Sequence, residues 1–248
     1  MTVSEIIDSL YAGSPLLKEA IKEAVRQKEA VTPALLEQLQ IVSDDIAGTI
    51  DAGDYDFIAA AYLLAQFREK SAFPLLVSLL RVDENTADEL WGDALTQSCP
   101  PMLRDTFNGD IGLLREVIEN RSYSPWARVT ALDAYSYLYT DGHITRRELT
   151  RYLRQLIRVV YRDNLNEDDI TVIGYVGHAV IDCHLIEMID DIKELYDNEL
   201  IDHFSLGEYK DFLEMVNGYD DPFYKNRHIT DTIKELETWH WFDPDEDD

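Results

Sequence analysis

Cysteine is almost missing from this chain: Cys99 and Cys183 are the only two in 248 residues, and no CxxC pair occurs. That excludes a disulfide framework and the usual thiolate zinc sites, and it suits a reducing compartment. Basic residues are also scarce, 22 against 49 acids, for a formal charge of −27. A field of that sign repels phosphate backbones and anionic lipid, so neither general nucleic-acid binding nor membrane association is expected. No window holds the ~18 uninterrupted apolar residues of a membrane span. The opening MTVSEIIDSLYAGSP has acids where a secretory leader carries basic residues, which makes a cytoplasmic protein the expectation. The strings GxSxG, Walker A, HExxH and GxGxxG are absent, so no reaction and no cofactor is indicated.

What is present is a repeat. With 46% hydrophobic residues the chain can bury a sizeable core. An apolar residue, two variable ones and further apolar ones recur at Leu36–Leu39, Leu76–Leu80, Leu114–Ile118, Leu153–Ile157 and Ile192–Tyr196. Their first positions lie 40, 38, 39 and 39 residues apart. Each signature predicts the first helix of a pair, and second helices are expected over Tyr55–Arg68, Thr86–Gln97, Pro125–Tyr139, Asp168–Asp182 and Ser205–Asn217. Local signals agree: Thr2 with Glu5 has capping-box spacing, and Ser124-Pro125 reads as N-cap and first helical residue. The fold class expected is an all-α, HEAT/armadillo-like α-solenoid of about five helical hairpins with period about 39, capped at both ends by flanking helices. As one elongated domain it divides into N-terminal capping helices over 1–31, the array over 32–217, a C-terminal capping helix within 218–242 and a solvated acidic tail over 243–248.

Particular strings carry a family resemblance. Pro125–Ala134, PWARVTALDA, resembles the V-R-x-x-A-L-x-A start of a HEAT second helix, with Ala127 where valine would stand. Tyr62–Glu69 (YLLAQFRE), Phe73–Leu76 (FPLL) and Gly92–Thr96 (GDALT) resemble the bacterial HEAT-like family catalogued as domain of unknown function 1186, over about Ser4 to Val216. The resemblance implies an all-helical repeat fold without an established activity. Some members carry a cysteine-rich, zinc-binding SEC-C motif at the C-terminus; this sequence reads WHWFDPDEDD there, so that zinc is not expected.

Projection at about 100° per residue gives each second helix an outward stripe. The stripes predict a concave face of Tyr62, Glu89, Asp93, Thr96, Trp126, Thr130, Asp133, Tyr137, Tyr175, His178 and Asp182. Carboxylates pair with Lys or Arg and aromatic rings add cation–π attraction, so a basic or amphipathic peptide is the matching partner. The expected role is a non-catalytic interaction scaffold. The alternative is a metal-dependent hydrolase in the same groove, with Asp133, His178 and Asp182 as weak metal candidates; one in-line His–Asp pair falls short of a coordination shell. A second candidate is an anion site on Arg147, Arg151, Arg154 and Arg158, one face of a helix on which six of the 22 basic residues fall within 17 positions from Arg146 to Arg162. The competing expectation there is that the arginines pair with neighbouring acids. Asp141–Leu149 imitates half of a calcium loop, but the first two ligand positions are Tyr137 and Tyr139, and a helix break at Gly142 with a Thr145–Glu148 capping box explains the string better.

Overall fold

The computed structural model describes residues 1–53, 55–201, 203–218 and 227–242, and of Phe204 and Ser205 only the backbone. The expected acidic tail, 243–248, lies outside the described residues. All regular structure among the described residues is helical: α1 (Val3–Ile7), α2 (Leu17–Arg26), α3 (Lys28–Asp44), α4 (Ile46–Ala52), α5 (Phe57–Phe67) and α6 (Ala72–Ser78). There follow α7 (Glu84–Trp91), α8 (Ala94–Gln97), α9 (Cys99–Thr106), α10 (Ile111–Glu119), α11 (Pro125–Thr140) and α12 (Arg146–Gln155), the last continued by a π-helical turn over Leu156–Val160. The chain then forms α13 (Glu167–Asp182), α14 (Ile189–Asp197), α15 (His203–Leu206), α16 (Tyr209–Gly218) and α17 (Thr232–Glu237).

Part of the acid excess begins helices. Asp45, Asp83, Asp110 and Asp231 each cap the helix that follows, accepting from its free N–H groups. Thr2–Glu5, Thr145–Glu148 and Asn166–Asp169 form full capping boxes, and Ser124 caps α11 ahead of Pro125. Gly142, at φ +75°, breaks the chain between α11 and α12 as the local reading required.

Helices α5, α9, α11, α13 and α16 pack in that order, each on the next. Helices α3, α6 and α10 form a second row, backing α5, α9 and α11 in turn. One expected second helix is corrected. Thr86–Gln97 is not continuous, because Gly92 adopts φ +49° and ψ −140°, a conformation open mainly to glycine, and separates α7 from α8. The place between α5 and α11 belongs instead to α9, whose Pro100 and Pro101 sit in the first turn, where a missing N–H costs nothing. Gly207, at φ +68°, likewise divides Ser205–Asn217 into α15 and α16.

Of the expected C-terminal cap, 219–226 lie outside the described residues. The last helix of the row, α16, packs on α13 and α14, whereas α17 lies across α2 and α5 near the start of the chain. The backbone N–H of Gly13 donates to the carbonyl of Trp241 at 2.8 Å, and Lys18 pairs with Glu237 at 3.1 Å. Residues 227–242 thus return along the α5–α9 face.

Candidate partner-binding face

A buried ion-pair cluster joins α11 to α13. Asp169, in the first turn of α13, accepts from Arg128 of α11 at 2.8 Å and from Arg121, and both Arg128 and Asp169 are 0% exposed. Burial alone would raise the Asp169 carboxyl, but hydrogen bonds from Arg121 and Arg128 outweigh it and hold the group below its usual range. The Arg128 guanidinium also lies over the Tyr161 ring at 5.1 Å. With the helices fixed in this way, Trp126 at the start of α11 meets Tyr175 of α13 edge-on at 6.0 Å, and Tyr175 meets His178 at 5.0 Å.

Trp126 keeps 38% of its surface in solvent. On its other side is an open cleft of about 520 Å³ lined by Glu84, Asp88, Asp93, Thr96 and Trp126. Asp93 is exposed and Thr96 half-buried, as projected, and Glu89 is exposed but does not line the cleft. Glu84 and Asp88 line it instead, and the projection did not find them. It ran one continuous helix through Gly92; with the helix broken there, α7 and α8 have independent rotations. The i, i+4 spacing of Glu84 and Asp88 ahead of a glycine was the available signal.

Further along α11 and α13 lie Asp133 and Asp182, both half-buried. Loss of solvent, then the Asp182 charge, pushes the Asp133 carboxyl up to about 8, so near neutral pH it mostly keeps its proton. Burial pushes His178 the other way, toward the neutral ring. Among the described residues no three His, Cys, Asp or Glu groups converge on a point that could hold a metal, so Asp133, His178 and Asp182 do not form a coordination shell.

Three projected positions are not on open surface. Thr130 is 0% exposed and donates its hydroxyl to the Leu95 carbonyl at 2.8 Å, because α8 covers that part of α11. Tyr137 is buried with the Arg104 guanidinium of α9 over its ring at 5.2 Å. Tyr62 is 0% exposed because residues 227–242 cover it; the Trp239 indole N–H donates to its hydroxyl at 2.8 Å. Projection gives the direction of a side chain but not what another segment lays over it. Of the eleven projected positions, Asp93, Thr96, Trp126, Asp133, Tyr175, His178 and Asp182 are drawn to α8, α11 and α13 with some surface retained.

The arginine helix is largely engaged. Arg146 pairs with Glu187 at 2.7 Å, Arg154 with Asp191 at 2.8 Å and with the Glu187 carbonyl at 2.6 Å, and Arg158 with Asp191. The hydrogen bond from Arg146 pulls the Glu187 carboxyl down to about 2. These pairs tie α12 and its π-helical turn to the start of α14. Arg147 and Arg151 are left exposed beside an open depression.

Helices stacked in two rows, with an acidic and aromatic surface on one of them, define an all-helical protein among the described residues. The chain matches, over residues 1–243, the family described as "Protein of unknown function (DUF1186)", and it belongs to that family. A Chlamydia muridarum (strain MoPn / Nigg) protein, titled "Uncharacterized protein", is 27% identical and covers 96% of this chain and 97% of its own length. A second uncharacterized protein, from Chlamydia trachomatis serovar D, is 26% identical with 96% of both chains covered. No solved structure matches.

Proposed function

We propose that the chain is a short HEAT-like array, over 32–217, that acts in the cytoplasm as a non-catalytic scaffold and grips a basic or amphipathic peptide segment on the face made by α7, α8, α11 and α13. The apolar signature recurring about every 39 residues and the ordered packing of α5, α9, α11, α13 and α16 support the array. The observation that carries the binding role is Trp126: a large aromatic left 38% exposed between the carboxylates of the cleft and the Tyr175–His178 pair. A Lys or Arg side chain entering the cleft would meet Glu84, Asp88 and Asp93 while its stem lay on the indole. The formal charge of −27 favours a cationic partner over nucleic acid.

The test uses a dye-labelled, Lys/Arg-rich amphipathic peptide library. Asp93→Lys and Trp126→Ala are each expected to lose the selected peptides while keeping a wild-type helical spectrum. Retained binding in both rejects this face.

A further inference from the structure

The α5–α9 face is already filled, and it is filled as a peptide groove would be. Residues 227–242 insert Ile229, Thr232 and Leu236, all fully buried, in the manner of a short helix laid in a groove. Their polar groups are met one by one. The backbone N–H and the hydroxyl of Thr232 both donate to the Gln66 side-chain oxygen, at 2.9 and 2.7 Å. The N–H of Ile229 donates to Asp105 at 2.6 Å, and His228 meets the other oxygen of that carboxylate at 2.6 Å, beside Arg68. Arg104 donates to the Arg227 carbonyl at 3.3 Å, and the Trp239 indole closes the far end on Tyr62.

Without this segment the Asp105 carboxylate, the Gln66 oxygen and the Tyr62 hydroxyl would each lose a partner, while Arg68 would still pair with Asp105 and Tyr62 would still donate to Ser98. None of these contacts follows from chain neighbourhood: their partners lie 123 to 177 residues apart in sequence. The same atoms presented by another molecule would satisfy the face equally. We infer that the α5–α9 face is a segment-binding groove that a second copy of this chain can fill with its own residues 227–242, giving a reciprocal, closed dimer. This groove is separate from the Trp126 face and does not depend on it. The exchange is isologous, each copy donating its segment and receiving the other's, so it closes at two and does not propagate.

The probe is a dye-labelled peptide of residues 227–242, titrated into the full-length chain and into full-length Trp239→Ala, whose own segment holds less firmly. Because the resident segment competes, the variant is expected to take up the wild-type peptide at least about tenfold more tightly than the wild-type host does. A peptide carrying Trp239→Ala is expected not to bind. Thr232→Val serves as the weakened host if Trp239→Ala loses its helical spectrum. In parallel, the wild-type chain is opened in mild urea and returned to buffer at high concentration, where sedimentation should show a dimer that is absent after the same treatment at high dilution. No peptide uptake by a folded, weakened host overturns the groove. Uptake with only monomer after the urea cycle overturns the second copy as occupant and leaves the groove to a foreign segment.

Discussion

Replacing Asp169 by Asn should be strongly destabilising. The carboxylate and Arg128 are both fully buried, and Arg121 completes the cluster that fixes α11 on α13. Desolvating two ions offsets much of their attraction, so the pair adds little over a well-packed apolar pair, but removing one member strands the other. That loss is typically about 3–5 kcal/mol. For a chain of this size each kcal/mol lowers the midpoint by about 2–4 °C, so Asp169→Asn should melt roughly 6–20 °C below wild type. Thermal and urea unfolding followed by circular dichroism measure both quantities. The paired change Arg128→Met with Asp169→Leu should recover most of the loss, because no buried charge remains. Since the folded carboxyl sits below its ordinary value of 3.8, its contribution is complete above about pH 5 and drains away as pH falls through the folded value. A loss below about 1 kcal/mol for Asp169→Asn, the level of an exposed pair, would refute the reasoning.

Asp133 should give the opposite pH dependence. Its carboxyl moves from 3.8 to about 8 on folding, so the native state holds a proton the unfolded chain releases. Stability should therefore fall between about pH 4 and 8, by at most about 1.4 kcal/mol per pH unit, and Asp133→Asn should flatten the melting temperature across that window. Gly92→Ala should cost about 1–3 kcal/mol through backbone strain alone, since the added methyl would meet only the Asp88 carbonyl, at 4.0 Å; chemical denaturation would detect it. Arg154→Ala combined with Arg158→Ala should lower the melting temperature by leaving the buried Asp191 without its arginines, whereas Arg147→Ala with Arg151→Ala should leave it within a degree or so.

The elements that sequence foretold are those whose start is written locally. Ser124-Pro125, Thr145–Glu148 and Thr2–Glu5 each satisfy their own helix terminus with neighbours three residues away, and the helices begin there. The all-helical character of the described residues was legible in the periodicity. Two features decided by distant contacts were not legible. Helix α9 opens with Cys99-Pro100-Pro101, which by itself reads as a turn, and it becomes a helix in a slot walled by α5, α6 and α11. The return of residues 227–242 depends on Gln66, Asp105 and Tyr62, far away in the chain. The candidate face divides along the same line. Trp126, Asp93 and Tyr175 keep surface among the described residues, while Tyr62, Thr130 and Tyr137 are covered by segments that helical projection does not place.

The central claim is that the Trp126 face holds a cationic segment. Its most direct test is fluorescence titration of a library-selected Lys/Arg-rich amphipathic peptide into wild type, into Trp126→Ala and into Asp93→Lys, with folding checked by circular dichroism. The account predicts saturable binding to wild type that weakens with added salt, and a loss of at least about tenfold in each variant. Equal affinity in all three proteins would contradict it.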